Sequence, residues 1–162
     1  MSDFDKAIIF TLKQEGGYVN DQKDPGGETK YGISKKQYPF LDISALTLEQ
    51  VKNIYHTDYW MPAKCEQISY PLNMVHFDCA VNSGIPRAII ILQRTVGVDD
   101  DGILGPITLA AINKQDADVL AILAIAEREH FYRVLVQEKP QLLKFLHIWL
   151  NRCDALKVAI HG

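Results

Sequence analysis

The sequence lacks several features that would assign a chemistry at once. Its net charge is −3, with 17 basic residues scattered among 20 acidic ones, so it lacks the basic stripe typical of nucleic-acid-binding proteins. The longest apolar run, residues 119–126, is far too short to span a bilayer. The five histidines show no metal-ligand spacing. We therefore predict no nucleic-acid partner, no stable membrane insertion, no metal and no organic cofactor.

Cysteine is also scarce. Cys65, Cys79 and Cys153 stand at wide spacing, which fits neither a disulfide framework nor a zinc site. We expect free, buried thiols in a protein that folds in a reducing compartment. No cysteine motif supplies the neighbouring base that a catalytic cysteine needs.

The first five residues are acidic and do not show the charged-then-apolar pattern of a signal peptide. This predicts synthesis in the cytoplasm. If the substrate lies outside the inner membrane, the chain requires another means of export.

Apolar periodicity predicts a mainly α fold of 162 residues, 48% of them hydrophobic. Residues 119–126 are apolar all round and are expected to pass through the core. Leu142, Leu143, Leu146, Trp149 and Leu150 are expected on the buried side of the last helix. A small irregular or β-containing lobe is predicted near residues 18–33 because glycine, proline, asparagine and aspartate stand there at turn-forming spacing. Helices are predicted over residues 3–14, from 47 to about 60, 72–83, 86–96, 106–113, from 116 or 118 to about 137, and from 140 onward.

The stretch from Glu15 to Ser34 carries the residues of greatest chemical interest. Gly16-Gly17 should stop the first helix and so hold Glu15 at its last turn. Cleavage of a glycosidic bond needs one carboxyl group as proton donor and a second carboxylate that serves the water or the sugar. Glu15 and Asp24 suit these two roles, but a glutamate before Gly-Gly is also typical of a solvated side chain.

Three further residues in this stretch could serve the same chemistry. Thr29 could hold a water through its hydroxyl, and the rings of Tyr18 and Tyr31 could line a sugar site. The segment around Asp24 is equally typical of an ordinary turn. Glu28 is the nearest rival carboxylate.

Asp78 and Asn82 lie one helical turn apart and should share a helix face. They could form either a solvated face or one wall of a saccharide cleft opposite Glu15. Residues 99–106 lack the ligand spacing of an EF-hand. We interpret that segment as a turn in which Asp101-Gly102 bends the chain and Pro106 begins the next helix.

Several strings resemble one known family. Residues 15–21 (EGGYVND), followed by Asp24, Gly26-Gly27, Thr29 and residues 32–34 (GIS), resemble the N-terminal signature of glycoside hydrolase family 108. Members of that family are N-acetylmuramidases, found among phage endolysins and among bacterial proteins once called secretion activators. The resemblance continues through Tyr59-Trp60 and residues 77–84 (FDCAVNSG). Residues 97–98 and 101–108 (DGILGPIT) resemble the predicted peptidoglycan-binding segment of the same proteins, and residues 128–132 and 145–152 also fit.

The resemblance implies a lysozyme-like fold and hydrolysis of the β-1,4 bond between N-acetylmuramic acid and N-acetylglucosamine. It implies a catalytic region over residues 1–90 and a helical peptidoglycan-binding-like region over residues 91–162, packed into one globular unit. Glu15, Asp24 and Thr29 more distantly resemble the Glu/Asp/Thr triad of phage-type lysozymes, although the Asp-to-Thr gap is one residue shorter. In that triad the glutamate is the general acid.

The implied partner is the peptidoglycan glycan strand, reached in the periplasm or cell wall after holin-type or other signal-less export. Two alternatives remain open at this point. One is a protein that binds peptidoglycan or assists secretion without catalysis. The other is a lytic transglycosylase.

Overall fold

The structure, a computed structural model, describes residues 1–23 and 26–162. Within these ranges it contains seven α-helices and one small sheet. No helix among these residues has both the length and the apolar character needed to cross a membrane. The helices are α1 (Asp3–Glu15), α2 (Leu48–Tyr55), α3 (Leu72–Ser83), α4 (Ile85–Val96), α5 (Pro106–Asn113), α6 (Ala117–Glu138) and α7 (Leu143–His161).

Side-chain caps define where three of the helices begin. Ser2 accepts from the Asp5 amide while the Asp5 carboxylate accepts from the Ser2 amide, which caps α1. Thr47 and Gln50 form the same reciprocal pair before α2, as the sequence predicts. Asp116, rather than Asp118, caps α6.

The predicted small lobe is a three-stranded antiparallel sheet in the order β1-β2-β3. Its strands are β1 (Tyr18–Asn20), β2 (Glu28–Lys30) and β3 (Ile33–Ser34). Thr29 lies at the centre, opposite Val19 on one side and Ser34 on the other. The Lys30 ammonium donates to the carbonyls of Ser44 and Leu46, so it ties the lobe to the next segment.

Helix α3 lies at the centre of the core, and nine of its residues are buried. It packs against α1, α4 and α6. A single hydrophobic cluster takes residues from both halves of the chain, among them Ile8, Phe77, Leu92, Ile125 and Leu156. The two halves therefore share one core.

The structure corrects three of the helix predictions. Val119, Ile122 and Leu123 are 54%, 45% and 47% exposed. Helix α6 buries only the stripe that packs on α3, α4 and α7, so one side of its first half lines the core and the other side faces solvent. Leu143 is 60% exposed because the buried side of α7 begins further along the helix. Helix α2 ends at Tyr55, and a π-helical turn continues to Trp60.

His76 is a buried titratable group in α3. Its Nε2 lies 3.0 Å from the Ala63 carbonyl, and its Nδ1 has no hydrogen-bond partner among the described residues. Burial lowers the pKa of His76 to about 4. The folded protein therefore holds this imidazole neutral where the unfolded chain would protonate it.

We expect His76 to make the protein less stable in mild acid. The pKa of His76 is about 4 in the folded state and about 6.5 in the unfolded chain. Its contribution to the free energy of unfolding is therefore complete above pH 6.5 and is lost as the pH falls toward 4. The loss is about 3 kcal/mol. Urea unfolding at pH 7 and pH 4 measures it, and His76→Gln should reduce this pH dependence. Equal pH dependence in both proteins would contradict the assignment.

Candidate active site

Glu15 is the last residue of α1, and its side chain is 21% exposed. Gly16 ends the helix as predicted, with its amide donating to the Leu12 carbonyl. Glu15 Oε1 accepts a hydrogen bond from Arg152 Nη1 at 2.7 Å. The carboxylate is thus held by a residue 137 positions away, on the last helix.

Gly32 allows the β lobe to approach this carboxylate closely. Its φ is +79°, and a Cβ there would lie 2.8 Å from Glu15 Oε2 and 2.5 Å from the Tyr55 hydroxyl. That hydroxyl donates to the Tyr31 carbonyl at 2.7 Å. Burial and, next, the Glu15 carboxylate raise the pKa of Tyr55, so it remains a neutral donor. Glu15 therefore lies between Arg152 on one side and the Gly32 turn on the other.

Asp78 is completely buried beneath Glu15 and binds two arginines. Its carboxylate accepts from Arg128 Nη1 at 2.8 Å and from Arg152 Nη2 at 2.8 Å, and Thr11 Oγ1 donates to it at 3.0 Å. Burial alone would raise the pKa of Asp78, but the two guanidinium groups outweigh it and hold the pKa below its usual value. Asp78 is thus an anion that fixes Arg152.

The four charges of this cluster, which we call the ion network, sum to zero. The network consists of Glu15, Asp78, Arg128 and Arg152. Buried charges are costly unless each is paired and hydrogen-bonded, and here Arg152 bonds to both carboxylates. Removing Asp78 would leave Arg128 without a carboxylate partner and Arg152 with Glu15 alone, so the network constrains α1, α3, α6 and α7 together.

Asn82 follows Asp78 by one turn of α3. Its Oδ1 accepts from Arg128 Nη2 at 3.1 Å and from the Tyr132 hydroxyl. The Tyr132 ring stacks on Trp149, with ring centroids 5.0 Å apart. Asn82 and Trp149 are both partly exposed, so this second set of contacts reaches the surface.

Among the predicted site residues, the structure brings some close to Glu15 and not others. The Tyr31 carbonyl accepts a hydrogen bond from the Tyr55 hydroxyl, which lies beside Glu15. The hydrogen bonds of Tyr18 and Thr29, by contrast, are made within the sheet. Tyr18 donates to Glu28 at 2.8 Å, and the Thr29 hydroxyl lies 3.5 Å from the Val19 carbonyl. Asp24 lies outside the described residues.

Asp78 does not have the position expected of a saccharide contact. We expected it beside Asn82 in the wall of a cleft, but its side chain has no exposed surface. Its two oxygens bind arginines that lie 50 and 74 residues further along the chain. The sequence signal that was missed is an aspartate among the apolar neighbours Phe77 and Cys79, which demands a buried cation.

The loop over residues 99–106 is a turn with its polar groups satisfied internally. Buried Gln93 donates to Asp101 and to the Ile103 carbonyl, and its Oε1 accepts from the Gly102 amide. Pro106 begins α5. These contacts agree with the predicted bend.

Comparisons with known proteins identify both halves of the chain. Residues 8–84 match the family described as Glycosyl hydrolase 108, and residues 87–154 match the one described as Predicted Peptidoglycan domain. The solved structure of Brucella abortus SagA is similar at 30% sequence identity and a TM-score of 0.80, covering 98% of this chain and 93% of that one. A search of the curated proteins finds no match. The fold is the lysozyme-like, mainly α fold that the sequence predicts.

We expect Asp78→Asn to destabilise the protein by about 3–5 kcal/mol, because it leaves the buried Arg128 without its counter-ion and Arg152 with Glu15 alone. The free energy of unfolding from urea titration measures this. Asp100→Asn is the matched control, since Asp100 pairs with Arg94 at 2.7 Å but both side chains are more than 40% exposed; that change should have little effect. Similar losses in the two variants would contradict the role of the ion network.

Proposed function

We propose, from the premise that this chain belongs to the glycosyl hydrolase 108 family, that it is a lysozyme-type N-acetylmuramidase. The two family matches make it a hydrolase that acts on peptidoglycan. The bond we assign to it is the β-1,4 bond between N-acetylmuramic acid and N-acetylglucosamine. The observation that carries the proposal is Glu15, a partly exposed carboxyl group held in one orientation at the end of a packed helix.

In this proposal Glu15 protonates the leaving oxygen. It donates from its protonated form, in which the ion network carries one net positive charge. Because Arg152 occupies Oε1, the transferred proton resides on Oε2, the oxygen on the side of Gly32. Holding the acid in one orientation brings it to the reacting bond without a search through rotamers. Arg152 and Asp78 act as positioning residues and do not touch the sugar.

Asp24 and Thr29 complete the proposed machinery by holding the attacking water. Thr29 lies at the centre of the sheet that follows α1, and Asp24 precedes it by five positions in the sequence. Tyr18, Tyr31 and Asn82 are proposed saccharide contacts. Tyr18 is 47% exposed, so its ring face is accessible.

The C-terminal region belongs to the catalytic unit in this proposal. Residues 1–90 supply Glu15 and Asp78, while residues 91–162 supply Arg128 and Arg152. The shared hydrophobic core supports the same reading. We propose the glycan strand as partner, action in the periplasm or cell wall, and holin-type or other signal-less export.

Product analysis distinguishes the alternatives. Purified peptidoglycan is incubated with the protein, and the fragments are identified by mass. New reducing ends at N-acetylmuramic acid support a hydrolase, whereas anhydro-sugar ends indicate a lytic transglycosylase. Binding without new ends indicates a protein that docks on the wall. Asp24→Ala should be severe in a hydrolase and mild in a transglycosylase, because the latter does not activate a water.

Glu15→Gln should lower the release of reducing ends by about a hundredfold or more, because it keeps the shape of the side chain and removes the acid. Reducing-end release from purified peptidoglycan measures the change. Glu28→Gln is the control: Glu28 is the neighbouring carboxylate and accepts from Tyr18. Unchanged release by Glu15→Gln would overturn the assignment of the acid.

Gly32→Ala should lower activity about tenfold or more, because a Cβ there would displace the Glu15 carboxylate or the Tyr55 hydroxyl. Gly27→Ala is a matched control. Its φ of +66° imposes comparable backbone strain, but a Cβ would meet nothing within 4 Å among the described residues. Reducing-end assays and thermal unfolding of both variants separate displacement from strain. Equal activity in the two variants would show that close approach to Glu15 is not needed.

A further inference from the structure

Two adjoining cavities flank the exposed side chain of Ile107 in the first turn of α5. The first has a volume of about 180 Å³ and lies against the loop over residues 99–106. The second, of about 470 Å³, lies between the end of α4 and α5. Val98 and Ile107 line both cavities, so we treat them as one surface and call it the α5 groove. Among the described residues, no member of the ion network lines it.

The α5 groove exposes aliphatic side chains to solvent. Ile103 is 67% exposed and Ile107 is 78% exposed, although both are branched and apolar. Ala110 and Ala111 continue the same face one turn further along α5, since residues three and four apart lie on one side of a helix. Single exposed apolar residues are common on proteins, but a contiguous set of them beside a cavity marks an interaction site.

Unpaired charges of opposite sign stand at the two ends of the α5 groove. Asp99 lines the first cavity and Lys114 lines the second, and neither side chain has a hydrogen bond or ion pair with any described residue. The neighbouring Asp100, by contrast, is paired with Arg94 at 2.7 Å. Lys114 follows the last residue of α5 and lies seven positions after Ile107, a rise of about 10 Å in an α-helix.

This set of side chains suits a peptide better than a sugar. No aromatic residue lines either cavity in the described part of the chain, so the α5 groove lacks the flat ring on which the apolar face of a pyranose packs. Residues 87–154, which include the groove, match the predicted peptidoglycan domain. Besides its glycan, peptidoglycan has short peptide stems that carry alanine methyl groups, free carboxylates and the amine of a diamino acid.

We propose that the α5 groove binds the peptide stem of peptidoglycan. The alanine methyl groups of the stem pack on Ile103 and Ile107. The Asp99 carboxylate accepts from the ammonium of the diamino acid, and the Lys114 ammonium binds a stem carboxylate. Three extended peptide residues span about 10 Å, which matches the distance along the helix from Ile107 to Lys114. The proposal rests on the match to the peptidoglycan domain and is independent of the reaction assigned to Glu15.

Titration of the full chain with a stem peptide tests the α5 groove. The probe is the tetrapeptide L-alanyl-γ-D-glutamyl-meso-diaminopimelyl-D-alanine, and amide resonances of the ¹⁵N-labelled protein are followed by NMR. We expect shifts concentrated in residues 98–115. Shifts confined to other parts of the chain, or unchanged resonances at the highest soluble peptide concentration, overturn the proposal.

Substitutions in the α5 groove should weaken the binding of this tetrapeptide. Ile107→Ser should raise Kd about tenfold through lost apolar contact. Asp99→Asn should raise it several-fold at low salt and less at high salt, because exposed charges are screened. Val158→Ser is the matched control for the first change, since Val158 is 75% exposed on α7, and Asp100→Asn is the control for the second. A wild-type Kd in both groove variants would contradict the proposed contacts.

Binding to intact walls separates this site from the reaction. The full-length Glu15→Gln variant is co-sedimented with purified peptidoglycan, alone and with the free tetrapeptide in excess. Adding Ile107→Ser should lower the bound fraction, adding Val158→Ser should not, and the tetrapeptide should displace only the proteins with an intact groove. Equal binding by all three proteins overturns the groove and leaves the hydrolase assignment standing. Peptide binding by a chain whose wild type releases no reducing ends would refute the hydrolase and retain the groove.

Discussion

The arrangement of this protein depends on one guanidinium group shared between two carboxylates. Arg152 bonds to the buried Asp78 and to the partly exposed Glu15. Because Asp78 also binds Arg128, the position of Glu15 is tied to four helices rather than to α1 alone. An acid at the frayed end of a helix would otherwise move freely, since the last turn lacks part of its hydrogen bonding. The ion network replaces those missing constraints with charge-assisted bonds.

This constraint changes how the two matched regions relate. The C-terminal region supplies both arginines of the ion network. In its loop over residues 99–106, the Asp101 carboxylate and the Gly102 amide both hydrogen-bond to Gln93. The region thus supplies the side chain that binds Glu15, and the two halves share one hydrophobic core. A binding role for this region would belong to the same folded unit as the reaction.

Much of the fold could be predicted from local signals. The capping pair Thr47 and Gln50 and the glycine after Glu15 marked helix boundaries correctly, because caps act within a few residues. The prediction that residues 119–126 are buried on all sides was wrong, because an apolar sequence does not specify which sides of a helix pack against other helices. Helix α6 leaves Val119 and Leu123 exposed. The role of Asp78 was misjudged for the same reason, since its arginine partners are distant in sequence.

The sequence by itself determined the positions of the helices, the turn-rich lobe and the family, and it singled out Glu15. These follow from short-range rules of capping, periodicity and motif spacing. Only the tertiary structure decided that Arg152 holds Glu15, that Gly32 must lack a side chain, and that the rings of Tyr132, Trp149 and Phe145 stack. Contacts of this kind join residues that are as many as 137 positions apart. Their existence depends on how helices pack, which no local pattern specifies.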